Sequence, residues 1–174
     1  YDLFASNGIL FNHESPKRGE NFVSRKITRG IAAINAGIKE TLYLGNLDSK
    51  RDWGHARDYV EAMWKMLQNK SPKDYVISTG RNHSIKDLIN ISTRILKLKT
   101  KWVGKDINER LINLDTGKAI IKIDKKFFRP SEVDYLNGDS QLAKKELNWS
   151  PKINFKELIE EMVKSDLEFV KNKV

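Results

Sequence analysis

The 174-residue chain predicts a mixed α/β fold. Short apolar runs bounded by turn formers alternate with longer segments whose apolar residues recur every three or four positions. No long linker, low-complexity tract or internal repeat interrupts that alternation, and the length suffices for a substantial core.

Taken in order, Ile9-Leu10-Phe11 predicts a buried strand around Ala5 to Phe11. A polar loop carrying His13, Pro16, Lys17 and Arg18 follows. From Asn21, the spacing of Phe22, Val23, Ile27, Ile31 and Ile34 predicts a helix that runs to Gly37. Thr41 to Leu44 reads as a strand, broken by Gly45-Asn46-Leu47-Asp48. In "RDWGHARDYVEAMWKMLQN", Ala56, Val60, Met63, Trp64 and Leu67 share one helical face, and a Pro72 turn leads to a strand at Tyr75 to Ser78. Ser84 and Asp87 form a capping-box variant that opens a helix bearing Leu88, Ile89, Ile91 and Ile95. Trp102-Val103 and Ala119 to Ile123 fit strands. Asn154 with Glu157 caps a last helix whose stripe is Phe155, Leu158, Ile159, Met162, Val163, Leu167 and Val170.

Charge narrows the function classes. A net +9 suits phosphate-bearing partners, from nucleotides to nucleic acid. With no cysteine the chain has no disulfide and no thiolate zinc site, which fits a reducing, cytoplasmic compartment. No apolar run reaches the ~18 residues of a membrane span, and the stretch from Tyr1 to Asn7 does not read as a signal peptide.

A complete active site is missing. His13, His55 and His83 lack the helical spacing of a zinc motif. Neither a Gly-x-Gly-x-x-Gly turn nor a Gly-Lys-Ser/Thr loop occurs. No tyrosine has a lysine four residues on, the spacing at which a helix turn lets the ammonium lower a phenol pKa. What remains is a set of anion holders. Arg51 follows a turn and Arg129 precedes Pro130, and two guanidinium forks match a diphosphate. The alternative is two ordinary surface ion pairs, Arg51 with Asp52 and Arg129 with Glu132.

"NGILFNHESPKRGENFVSRKITRGIAAI", "LYLGNLDSKRDWGHARDYVEAMWKMLQ", "DYVISTGRNHSIKDLI" and "FFRPSEVDYLNGDSQLAKKELNWSP" occur in this order. Together they strongly resemble the C-terminal half of the GDP-mannose 4,6-dehydratase family, within the extended short-chain dehydrogenase/reductases. The resemblance weakens only around Lys97 to Lys126. It implies the C-terminal part of a Rossmann-type parallel sheet, with residues 1–20 and 51–79 as late elements of the NADP-binding domain. Interleaved with them, 21–50 and 80–174 form a smaller mixed α/β nucleotide-sugar-binding domain. It also implies that the glycine-rich turn, the Tyr-x-x-x-Lys pair and the remaining acid/base residues lie upstream of Tyr1, so that the chain is a fragment without catalytic residues of its own.

Residue by residue, the resemblance places His13 and Arg18 against NADP and Asn12, Asn21 and Lys26 against GDP-mannose. It gives Arg51 and Arg129 to the diphosphate, Gly45 to close backbone approach and Glu132 to ribose hydroxyls. Lys17 stands where relatives often carry arginine. Other readings stay open: His13 as a polar loop residue bonded to local backbone, Asn21 as a helix cap, and Lys26 as a solvated cation. Trp53, Trp64 and Trp149 read as packing residues.

The complete enzyme, on this resemblance, is a dehydratase that removes hydride from C4 of the mannose to NADP, eliminates water across C5 and C6, and returns the hydride at C6. The product is GDP-4-keto-6-deoxy-mannose, on the route to GDP-fucose, and the enzyme is a homodimer or homotetramer. Two alternatives compete with it: a non-catalytic GDP-sugar-binding remnant or half of a split enzyme, and a basic nucleic-acid-binding module. The second is disfavoured because lysines such as Lys144, Lys145 and Lys164 fit solvated helix faces.

Overall fold

The computed structural model describes residues 3–128 and 136–172. The chain divides into two compact units: Tyr1–Ser15, Lys50–His83 and Tyr135–Leu158 in the first, and Pro16–Ser49, Ser84–Asp134 and Ile159–Val174 in the second.

In the first unit, the buried strand expected over Ala5 to Phe11 is the short β1 (Gly8–Leu10), whose Ile9 is exposed because no described residue covers that face, and a second strand, β2 (Asn12–Glu14), falls in the expected loop. The chain changes partners between them. β1 pairs in parallel with β5 (Tyr75–Ile77), Phe11 N donates to Ile77 O at 3.0 Å, and β2 then pairs in parallel with β4 (Lys50–His55). Parallel pairing is what a Rossmann-type sheet requires. β6 (Asn82–Ser84) extends the second ladder in the order β2-β4-β6. Arg51, expected between a turn and a helix, sits on β4; the pairing of Asn12, His13 and Glu14 with Trp53, Gly54 and His55 draws this segment into the sheet.

Helix α2 (Ala56–Leu67) follows directly, its first turn capped by His55 Nδ1, which accepts from Arg57 N at 3.0 Å. Its buried face is not the predicted one. Tyr59, Ala62 and Met66 join Tyr75, Ile77, Ala143, Leu147 and Trp149 in one core, whereas Val60, Met63, Trp64 and Leu67 are exposed. Trp64 is therefore no packing residue within the described chain, unlike the buried Trp53 and Trp149. Helix α4 (Gln141–Leu147) supplies Ala143 and Leu147 to this core and ends at Asn148, whose φ of +47° is left-handed. This core is why Tyr135–Leu158 group with the first compact unit.

The second unit holds a four-stranded sheet of order β3-β9-β8-β7, with β3 (Leu42–Leu44), β7 (Thr100–Val103), β8 (Arg110–Asn113) and β9 (Ala119–Ile123). β3 pairs with β9 in parallel and the other pairs are antiparallel. β8 was not foreseen because only Leu111 and Ile112 mark it; its partners on both sides define it. Helix α1 (Val23–Asn35) packs on α3 (Ile85–Ile95) and stops as expected at Gly37, where φ is +74°. Ser84 and Asp87 form the capping box that starts α3. Asn154 and Glu157 likewise bond each other's backbone N–H at 2.9 and 3.0 Å before α5 (Phe155–Lys171).

A buried charge network ties α1 to α5. The fully buried Asp166 carboxylate accepts from Arg25 Nε at 2.8 Å, Thr28 Oγ1 at 2.7 Å and Arg29 Nε at 3.2 Å. Arg29 also pairs with Glu20 and lies over the Phe169 ring. Among the described residues, no helix is long and apolar enough to cross a membrane.

Candidate functional site

The predicted site residues divide between the units: Asn12, His13 and Arg51 in the first, Arg18, Asn21, Lys26 and Gly45 in the second. Arg129 and Glu132 lie outside the described residues.

On the first unit, β2 presents His13 half-buried between the exposed Asn12 and the buried Glu14. His13 Nδ1 lies 2.9 Å from Phe11 O, a carbonyl that can only accept, so Nδ1 is the donor of that bond, and in the neutral ring Nε2 keeps its lone pair. The ring stacks on Tyr59 with centroids 4.9 Å apart at 25°. The local-backbone reading of His13 therefore holds for one ring nitrogen. On β4, Arg51 Nη1 donates to Lys50 O at 2.7 Å. The neighbouring Asp52 is fully buried. It accepts from Thr79 N at 2.9 Å, Thr79 Oγ1 at 2.6 Å and Gly80 N at 2.7 Å. Asp52 is thus committed to the turn after β5, where Gly80 has a φ of +73°.

On the second unit, the Arg18 guanidinium lies 3.5 Å from the Phe22 ring centroid, and Arg18 O accepts from Arg25 Nη1 at 3.3 Å. Arg25 therefore joins the loop to the Asp166 network. The cap of α1 is Phe22, with no side-chain cap bond, so the expected capping by Asn21 is corrected: the helix begins one residue later than that role needs. Lys26 lies over the Phe127 ring, its Nζ 3.8 Å from the centroid. Burial and the positive Lys39 pull its ammonium below the usual lysine pKa, against the opposing pull of Asp124. Lys26 is half-buried, not simply solvated. Gly45 faces the backbone of Phe127: a Cβ there would come 2.1 Å from Phe127 O. The close approach expected of Gly45 is to its own chain. Among the described residues, no group of three or more His, Cys, Asp or Glu side chains is placed to hold a metal ion.

Sequence reasoning missed Tyr59, Arg25, Asp166 and Phe127 as supports of these residues. Arg25 and Asp166 are 141 positions apart, and nothing in the local pattern pairs them. Phe127 lay in the quoted "FFRPSEVD" stretch, where its place against Gly45 and Lys26 has no sequence signature.

The family model for GDP-mannose 4,6 dehydratase matches residues 1–162. The chain is 54% identical over 172 residues to GDP-mannose 4,6 dehydratase of Dictyostelium discoideum, covering 99% of this chain and 48% of that protein. It is 53% identical over 171 residues to the Drosophila melanogaster protein of the same name, covering 98% of this chain and 43% of that one. The Vibrio cholerae serotype O1 GDP-mannose 4,6-dehydratase is 48% identical over 178 residues, with 97% and 48% covered. The chain thus spans about half the length of these relatives.

Among solved structures, RMD from Pseudomonas aeruginosa complexed with NADPH matches with a TM-score of 0.76 at 20% identity, over 93% of this chain and 48% of that one. A dTDP-glucose 4,6-dehydratase from Bacillus anthracis in complex with NAD matches at 0.67 and 17%, over 95% and 44%. These likenesses establish the Rossmann-type fold, and the sequence match goes further: the chain belongs to the GDP-mannose 4,6 dehydratase family.

Proposed function

We propose that the chain is the nucleotide-sugar-binding half of an NADP-dependent GDP-mannose 4,6-dehydratase, a hydro-lyase forming GDP-4-keto-6-deoxy-mannose and water. Near-50% identity to dehydratases of that name along almost the whole chain carries the reading. In it, residues 1–20 and 51–79 belong to the NADP-binding domain and 21–50 with 80–174 to the sugar-nucleotide domain.

The donor chemistry fits NADP. With the Nδ1 proton of His13 committed to Phe11 O, Nε2 is an acceptor for a carboxamide N–H. Arg18, half-buried beside Phe22, offers a charged fork for a phosphate. When bound, NADP supplies a reversible hydride acceptor. The remaining assignments concern substrate. Arg51 and Arg129 grip the diphosphate, Asn12, Asn21 and Lys26 face the nucleotide sugar, and Glu132 the ribose. Gly45 admits the Phe127 backbone, whose ring lies under Lys26. Anion binding beside Lys26 offsets its repulsion by Lys39 and so favours its charged form. No described residue of this chain is assigned an acid/base step, so in this reading it binds and orients while a complementary half does the proton transfer. The complete enzyme acts in the cytoplasm as a homodimer or homotetramer, without nucleic acid.

Titration calorimetry of the 174-residue chain with GDP-mannose, GDP and UDP tests this, alongside a turnover assay. GDP-mannose and GDP bind, UDP binds more weakly, and Arg51→Ala weakens both guanine ligands. Salt-sensitive oligonucleotide binding that GDP-mannose does not displace would overturn the reading. Turnover by the isolated chain would overturn the division of labour.

A further inference from the structure

The first unit contains a buried aromatic ring, that of Tyr59, to which the proposed function gives no role. Tyr59 is wholly buried in the first turns of α2. One neighbour of its ring is His13, at 4.9 Å and 25°. A second is Trp149, edge-on at 6.1 Å and 85°, whose Nε1 donates to Asp58 O at 2.8 Å and so fixes the indole to the backbone carrying Tyr59. A third is Gly54, the residue paired with His13 across the parallel ladder. A Cβ on Gly54 would lie 2.3 Å from Tyr59 Cε2, so the ring occupies the space that any other residue at 54 would fill.

We propose that Tyr59 is a positioning residue for His13. Its ring, seated over Gly54 and braced by Trp149, is the platform that holds the imidazole in one plane with Nδ1 on Phe11 O and Nε2 left to accept. This rests on the reading of His13 as a cofactor contact. Two constraints act on the imidazole: the Nδ1 bond selects the tautomer, and the stack removes rotation about that bond.

The hydroxyl is not what the site uses. Tyr59 Oη is buried with no hydrogen-bond partner among the described residues. Burial first, then the carboxylates of Asp52, Asp58 and Glu14, hold it far above the usual phenol range, so it stays protonated and neutral beside His13. A base or a charged partner would need the opposite environment. The flat ring remains as the useful part, and the role predicts that phenylalanine performs it.

The test compares wild type, Tyr59→Phe and Tyr59→Leu by NMR of the His13 ring, which needs no nucleotide. Wild type and Tyr59→Phe show a single tautomer protonated at Nδ1, with ring protons shifted upfield by the stacked aromatic ring. Tyr59→Leu loses the upfield shift and samples both tautomers. In parallel, NADPH binding weakens by up to about tenfold in Tyr59→Leu and is retained in Tyr59→Phe. The double variant His13→Ala/Tyr59→Leu binds no more weakly than His13→Ala, because Tyr59 acts through His13.

Unchanged His13 signals in Tyr59→Leu, additive losses in the double variant, or a loss in Tyr59→Phe would each overturn the proposal. If Tyr59→Leu does not fold, the wild-type tautomer and ring shifts decide it: two tautomers or no upfield shift refute it. Tyr59-dependent His13 signals together with NADPH binding unaffected by His13→Ala would keep the platform and remove the cofactor role.

Discussion

Removing the Asp166 carboxylate destabilises the second unit more than any exposed change can. Arg25 is 6% exposed and its Nε sits 2.8 Å from Asp166 Oδ1, while Thr28 and Arg29 donate to the same carboxylate. Asp166→Ala leaves the Arg25 guanidinium buried without its counter-ion, a loss of ~3–5 kcal/mol by comparison with other broken buried pairs. Arg29 contributes less, since Glu20 and the Phe169 ring still hold it. Asp166→Asn keeps the shape and one acceptor oxygen and costs about 2 kcal/mol. For a chain of this length ~4 kcal/mol corresponds to a fall of roughly 8–16 °C in Tm.

Urea unfolding followed by circular dichroism and by tryptophan fluorescence measures these costs. Trp102, hydrogen-bonded to Asn90 at 2.9 Å, is the tryptophan of the second unit, so its emission follows the unit in question. The double variant Arg25→Met/Asp166→Leu removes both charges and recovers much of the loss, because neither partner is then left unpaired. A cost below about 1 kcal/mol for Asp166→Ala, or a double variant equal to the sum of its singles, would refute the reasoning.

Two further outcomes follow from packing and capping. Trp149→Ala costs about 3–5 kcal/mol by emptying the core of the first unit, whereas Trp64→Ala on the exposed face of α2 costs under ~1 kcal/mol; equal midpoints in denaturant would contradict the burial pattern. Ser84→Ala and Asn154→Ala each lose about 1 kcal/mol through their caps, read as faster amide exchange in the first turns of α3 and α5 and not elsewhere.

At alkaline pH the sign follows from protons bound. Tyr59 titrates higher folded than unfolded, so above about pH 10 the folded state holds the extra proton and stability falls as pH rises, while below that its contribution is complete. Tyr59→Phe flattens this decline in a pH series of unfolding midpoints. It does not abolish it, because burial and the Glu146 carboxylate also raise Tyr75. A decline of unchanged steepness in Tyr59→Phe would remove Tyr59 as a cause.

Local chemistry determined much of this molecule before any contact was known. The capping box at Ser84, the cap at Asn154 and the stop at Gly37 act within a few residues, and each stands where the sequence places it. The motifs that assign the chain to its family are likewise contiguous, and they name the candidates Asn12, His13, Arg18, Asn21, Lys26, Gly45, Arg51, Arg129 and Glu132.

Tertiary structure decided what local pattern leaves degenerate. Helix α2 carries two apolar faces, and the more regular stripe, Val60, Met63, Trp64 and Leu67, lost the core to Tyr59, Ala62 and Met66. A helical period says which residues share a face, but only the packed partners Ile77, Leu147 and Trp149 say which face is filled. Strand β8 exists because β7 and β9 bond its two edges, and Arg25 finds Asp166 only after both helices are in place. His13 shows both levels. Its identity and motif are written in the chain, while its ring plane and tautomer come from Tyr59, Gly54 and Phe11, which the parallel ladder and the first turns of α2 bring to it.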